Sequence, residues 1–167
     1  MKYKKPLIIA EISGNHKQSL KRALKLIDAA AEAGVDAVKL QTFTPESMTL
    51  NIKKGEFLLK DKKIAGVWRN KTLFEIFKKA QTPWEWHSKI FKRAKQKGLI
   101  FFSSPFDERA VDFLGSLKVP FYKIASFEAV DIPLIECVAL TNKPVIISTG
   151  MANKDEIAEA VEVLRQN

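Results

Sequence analysis

A parallel α/β fold is what this sequence predicts, on three observations. Five short runs rich in Val, Ile, Leu, Phe and Ala recur along the 167 residues without strict polar alternation, as strands covered on both faces require. Amphipathic stretches with readable helix ends separate them. Strand and helix alternate five times, the arrangement of a parallel sheet or barrel.

The first run, Leu7 to Ser13, follows a basic start. After it, apolar residues recur at Leu20, Ala23, Leu24, Ile27 and Ala31, a helical spacing with Gly34 as the stop. The second strand is expected over Asp36 to Thr42. A long connection over 43–81 comes next; connections of that length are functional or carry structure of their own. Thr82, Pro83 and Glu85 predict a capping box with proline at the first helical position, and Gly98 ends that helix. Leu99 to Ser104 predicts the third strand and Asp107 to Leu117 a short helix. Pro120 to Ser126 predicts the fourth strand, with Pro133 to Leu140 as its helix. Pro144 to Thr149 is the fifth strand, and Asn153 with Glu156 caps a last helix that carries Arg165 near its end.

An eight-stranded TIM (β/α)8 barrel needs about 200 residues or more. Five units in 167 residues therefore predict an incomplete barrel, with residues 1–167 as its N-terminal portion and 43–81 as an inserted basic connection.

Composition narrows the function classes. With 46% hydrophobic residues the chain can bury a real core. No apolar run approaches the roughly 18 residues a membrane span needs. Leu7 to Ile12 is too short for a signal-peptide core and contains Glu11. The single cysteine, Cys137, excludes an internal disulfide framework and is expected to be a small buried residue on the fourth helix. A cytoplasmic protein without a membrane partner is expected. The net charge of +9 suggests nucleic acid until it is mapped: residues 53–97 hold 14 Lys+Arg against 4 Asp+Glu, and the other residues 14 against 15. A solvated basic face accounts for such a run, and no nucleic-acid-binding motif accompanies it. Trp84, Trp86, Ile90 and Phe91 have the spacing of helix packing, not of a base-stacking platform.

Polar residues recur at the C-terminal end of every strand. Glu11, Ser13, Asn15 and His16 end the first; Lys39, Gln41 and Thr42 belong to the second; Ser103 and Ser104 end the third. Lys123 and Ser126 mark the fourth, Ser148 and Thr149 the fifth. In parallel α/β folds this end forms the active-site mouth. Lys39 and Lys123 are the sharpest of the set, because a lone ammonium in an apolar strand is costly or loses its charge. Three readings stay open: an internal pair such as Lys39 with Glu11, two lysines facing a bound phosphate and carboxylate, or one Schiff-base lysine. Glu11 reads as a site acid and His16 as a candidate substrate contact, whereas His87 reads as structural or solvent-facing. No His/Cys/Asp pattern has metal-ligand spacing.

The segments "AEISGNH" at 10–16, "DAVKLQTFTP" at 36–45, "FFSSPFDERAVDFL" at 101–114, "YKIAS" at 122–126 and "KPVIISTGM" at 143–151 resemble the sialic acid synthase family. "SGNH", "TPWEW" at 82–86 and "SFE" at 126–128 look more like its pseudaminic acid synthases. The resemblance implies a TIM barrel followed by an antifreeze-like C-terminal domain, which this chain would lack. It implies a C–C bond-forming transferase that condenses phosphoenolpyruvate with a 2,4-diacetamido-2,4,6-trideoxy hexose aldehyde, releasing phosphate. Lys39, Ser104, Lys123, Ser126 and Ser148 fall at positions that bind phosphoenolpyruvate; Glu11 falls where the attacking water is oriented or deprotonated. Gln41, with Asn15 and His16, falls on the sugar side. A divalent metal, Mn2+ or Mg2+, is implied, with histidine ligands in later strands and none in this chain. A homodimer is implied for the full-length protein. Two loops depart from the family pattern: Lys17 and Gln18 stand where Asn-Gly is common, and Arg69-Asn70-Lys71 follow Trp68 where Asp-Gly is common. The alternatives are an N-acetylneuraminate or legionaminate synthase, a lysine Schiff-base aldolase, and a non-enzymatic basic binding module. The chain alone is expected to be inactive.

Overall fold

In a computed structural model, residues 5–60 and 66–166 are described. Residues 61–65 of the basic stretch and of the expected long connection, together with 1–4 and 167, lie outside the described residues.

All five expected strands are present: β1 (Ile9–Glu11), β2 (Ala37–Thr42), β3 (Ile100–Pro105), β4 (Tyr122–Ile124) and β5 (Val145–Ile147). They pair in parallel in the order β1-β2-β3-β4-β5 and curl into a half-barrel, an incomplete TIM barrel. β1, β4 and β5 are each shorter than their apolar runs by three residues or more. After β1 the chain turns into a 3-10 helix, Ser13–His16, and after β4 into another, Phe127–Val130, so the polar residues that end the runs leave the ladder.

The helices follow from their caps. α1 (Leu20–Glu32) begins at Ser19, whose side chain accepts the Arg22 N–H, and Gly34 follows it with φ +76. The described residues of the long connection hold α2 (Pro45–Met48), two 3-10 turns and α3 (Leu73–Ala80), the last with a Thr72/Glu75 capping box. Then come α4 (Trp84–Gln96), α5 (Glu108–Ser116), α6 (Ile132–Ala139) and α7 (Lys154–Gln166). Asp107 caps α5, Asp131 caps α6, and α7 has the expected box, Asn153 Oδ1 accepting from Glu156 N and Glu156 Oε2 from Asn153 N.

The expected capping box at α4 is corrected. Pro83, not Thr82, is the N-cap residue, and no side chain caps this helix. Thr82 is buried and its hydroxyl lies 3.1 Å from His16 Nε2, so the tertiary bond replaces the local one.

The main core lies between sheet and helices: Val38, Leu40, Phe101, Tyr122 and Ile124 meet Ile27, Ile90, Leu114 and Ile135. Cys137 is partly buried against it and free. The expected helix packing of α4 is present: Trp84 stacks on Phe113 at 4.7 Å, and Phe91 meets Phe101 edge-on at 5.4 Å. Lys78, Lys79, Lys89, Lys92 and Lys95 are exposed, so much of the basic segment is a solvated face. Arg93 instead forks onto Asp28 at 2.7 and 2.8 Å, tying α4 to α1. Among the described residues no helix is long and apolar enough to cross a membrane.

Candidate active site

Strand pleating sorts the sheet's side chains into two sets. One set packs on the helices. The other points to the concave face, where Ala37, Phe102 and Phe121 with Ile100 form an apolar floor, the two rings 4.3 Å apart. Toward the C-terminal ends of the strands the same face turns polar, carrying Glu11, Lys39, Gln41, Ser104 and Lys123. Register brings Glu11 opposite Lys39 and Gln41 opposite Ser104.

Lys39 and Glu11 form an ion pair, so the internal-pair reading of Lys39 is realised. The lysine side chain is 14% exposed and the glutamate 42%, so the pair opens toward solvent on its acid side. The other Glu11 oxygen accepts the Ser13 N–H at 3.0 Å. Ser13 Oγ donates to Gln41 Oε1 at 2.9 Å, which orients that amide across the mouth.

Lys123 is different. Among the described residues its ammonium has neither an ion pair nor a hydrogen bond. Burial pushes its ammonium below the ordinary lysine range and the nearby Lys39 charge adds to that, while Glu128 and Glu11 oppose it. Ser104 is 1% exposed and its hydroxyl has no partner. A buried hydroxyl left unbonded costs about 1–3 kcal/mol. A cation and a hydroxyl with open bonding capacity, beside a second lysine, fit an anionic ligand carrying several acceptor oxygens.

Ser126 and Ser148 belong to loops that converge. The Ser148 N–H donates to Ile124 O at 3.0 Å, extending the β4–β5 ladder, and a Cβ at Gly150 would lie 3.5 Å from Ser126 Oγ. Asn15 is exposed on the first 3-10 turn, beside a cavity of about 710 Å3 whose lining includes Ser13, Asn15, Trp68 and Lys79.

His16 does not sit with them. It is fully buried; its Nδ1 accepts the Gln18 N–H at 3.2 Å, which leaves the proton on Nε2 to be donated to Thr82. Its ring also meets Trp86 edge-on at 5.6 Å, and burial holds its pKa below the ordinary value. As placed, it fixes the turn that carries Asn15 and offers no surface to a sugar. His87 is structural: Thr42 Oγ1 lies 2.9 Å from its Nε2 and 2.7 Å from Ser103 Oγ, all on the helix side of the sheet.

Two residues at this mouth had no assigned role in the sequence. Ser13 holds Gln41, and Glu128, in the turn after β4, has a buried carboxylate oxygen without a partner. An acid inside the Ser126-Phe127-Glu128 motif was the available signal; its burial was not legible.

A family model described as the NeuB family matches residues 26–167. The chain belongs to the NeuB family. Within it, the chain is 46% identical over 163 residues to the pseudaminic acid synthase of Campylobacter jejuni, covering 98% of this chain and 46% of that one. It is 37% identical over 165 residues to the N,N'-diacetyllegionaminic acid synthase of the same species, covering 98% and 48%. The solved N-acetylneuraminic acid (sialic acid) synthetase of Leptospira borgpetersenii superposes with a TM-score of 0.80 at 31% identity, over 96% of this chain and 50% of that one. The chain thus spans about half the length of the NeuB-family relatives it matches.

Proposed function

We propose that the protein carrying this chain condenses phosphoenolpyruvate with a 2,4-diacetamido-2,4,6-trideoxy hexose, giving a pseudaminic-type nonulosonic acid and phosphate. One observation carries the reading: on a single concave face the Lys123 ammonium and the Ser104 hydroxyl have no partner among the described residues, beside Lys39. The higher identity to the pseudaminic than to the legionaminic relative supports the choice of sugar.

In this reading Lys39, Lys123, Ser104, Ser126 and Ser148 hold the phosphate and carboxylate of phosphoenolpyruvate. Its methylene carbon adds to the sugar aldehyde, water adds at the carbon bearing the phosphate, and phosphate leaves. Glu11 orients the water and accepts its proton, its carboxylate held in place by the contact with Lys39. Gln41, held by Ser13, and the exposed Asn15 take sugar hydroxyls. A homodimeric, cytoplasmic enzyme belongs to the same proposal, the location supported by the free Cys137.

The resemblance also implies a divalent metal. Among the described residues no group of three His, Cys, Asp or Glu could hold one, and both histidines are committed to buried bonds. The residues present do not fit that ion, and no step of this chain's chemistry is routed through it.

The test is phosphate release by the intact protein carrying this chain, supplied with phosphoenolpyruvate, a divalent cation and the diacetamido hexose. Release that requires the sugar is expected. Release indifferent to the sugar contradicts the reading, as does a borohydride-trapped pyruvate adduct on Lys123, which would favour Schiff-base chemistry.

A further inference from the structure

We propose that binding of phosphoenolpyruvate at Lys123 is coupled to the uptake of one proton by Glu128. The inference rests on the reading above that the concave face takes this anion, and it adds a charge-setting residue to the site.

Glu128 is held in place by the backbone. It lies in the 3-10 helix Phe127–Val130 that follows β4, its N–H donating to Ala125 O at 3.2 Å and its carbonyl accepting the Asp131 N–H at 3.1 Å. One carboxyl oxygen, Oε2, is buried and without a partner among the described residues. An ionised oxygen so placed is short of the donors it needs. Besides its own backbone N–H, the help it has is electrostatic and comes from Lys123, on the strand just before the helix, whose N-cap is Ser126.

The charges around the pair define the coupling. Burial raises the Glu128 pKa; its own backbone N–H and then the Lys123 charge pull it back down, and Asp131 pushes it up. Lys123 in turn feels Lys39, Glu128 and Glu11. The packed neighbours add little. Asp131 is exposed and accepts the Leu134 N–H at the start of α6. On α7, Lys154, Asp155 and Glu159 are exposed, and Glu156 is engaged with Asn153 at 2.7 Å. Among the described residues the Lys123 ammonium is therefore the cation that favours the ionised form of Glu128.

A bound phosphate dianion takes over that ammonium and adds its own negative charge. Glu128 then loses its counter-ion and gains a like charge, and both changes raise its pKa. In the window between its free and bound values the carboxyl takes up a proton from solvent, and anion affinity falls as pH rises through that window.

The measurement is calorimetric titration of the intact protein with phosphoenolpyruvate in buffers of differing ionisation enthalpy. It is run upward from about pH 7, above the second ionisation of a phosphate ester near about 6. Wild type is expected to take up as much as about one proton per ligand, its Kd rising by up to about tenfold per pH unit. Glu128→Gln, neutral at every pH, is expected to lose the uptake and the pH slope. Glu128→Ala is the second variant should the amide perturb folding, with the same expected loss of uptake. Undiminished uptake in both variants would place the proton on Lys123 and overturn the proposal, as would zero uptake by wild type that binds well. Wild type that binds no phosphoenolpyruvate at any pH would instead remove the reading of the site itself, and this coupling with it.

Discussion

Ser103 and Ser104 are neighbours on one strand, yet they belong to opposite economies of hydrogen bonding. Ser103 faces the helices, where its hydroxyl, Thr42 and His87 form a closed buried set. Ser104 faces the concave side beside Lys123, and among the described residues neither its hydroxyl nor that ammonium has a partner. The helix side spends its polar groups on the fold, whereas the concave side leaves them open. Folding alone gives no reason to bury polar groups without partners; a ligand that completes their bonds does.

The largest expected effect breaks the concave set. Lys123→Met should lower kcat/KM for phosphoenolpyruvate by about 100- to 1,000-fold, the loss of about 3–4 kcal/mol of charge stabilisation in a shielded site. Its melting temperature should hold or rise, since an unpaired, partly desolvated ammonium is removed. A steady-state assay paired with a thermal melt checks both halves.

The next effect sharpens the helix side. Burial lowers the His87 pKa from 6.5 to about 4, so the folded protein keeps this ring neutral. The unfolded chain takes up a proton that the fold refuses. The stabilisation is therefore complete above pH 6.5 and is lost as pH falls toward about 4, by about 3 kcal/mol in all. Urea unfolding at several pH values should show that decline, and His87→Gln should flatten it. An unchanged slope in the variant would assign the acid sensitivity to other groups.

Part of this contrast was legible in the sequence. Apolar runs located all five strands and placed Lys39, Gln41 and Ser104 at the mouth, but Thr42 and Ser103 were read with them, and the structure turns both to the helix side, where they bond with each other and His87. The Lys39–Glu11 pair was among the readings that the cost of a buried charge allows. Tertiary bonds were what the local pattern could not show. Thr82 had the spacing of a helix cap, but the structure gives its hydroxyl to His16, sixty-six residues away in sequence. The same bond took His16 out of the mouth to which its position after β1 had assigned it. The open capacity of Ser104 and Glu128 is likewise a property of packing, since only the arrangement of neighbours decides whether a hydroxyl or a carboxylate finds a partner.

The smallest substitution tests the comparison most directly. Ser103→Ala and Ser104→Ala each remove one oxygen, on opposite faces of β3. Phosphoenolpyruvate affinity and thermal stability should be measured for both in the intact protein. Ser103→Ala is expected to lose about 1 kcal/mol of stability, the worth of a typical buried hydrogen bond, with affinity unchanged. Ser104→Ala is expected to keep or gain stability and to weaken binding by about 10- to 100-fold, the loss of one hydrogen bond to a charged ligand. The opposite pattern, with Ser104→Ala unstable but binding normally, would contradict the assignment of the concave face to an anionic substrate.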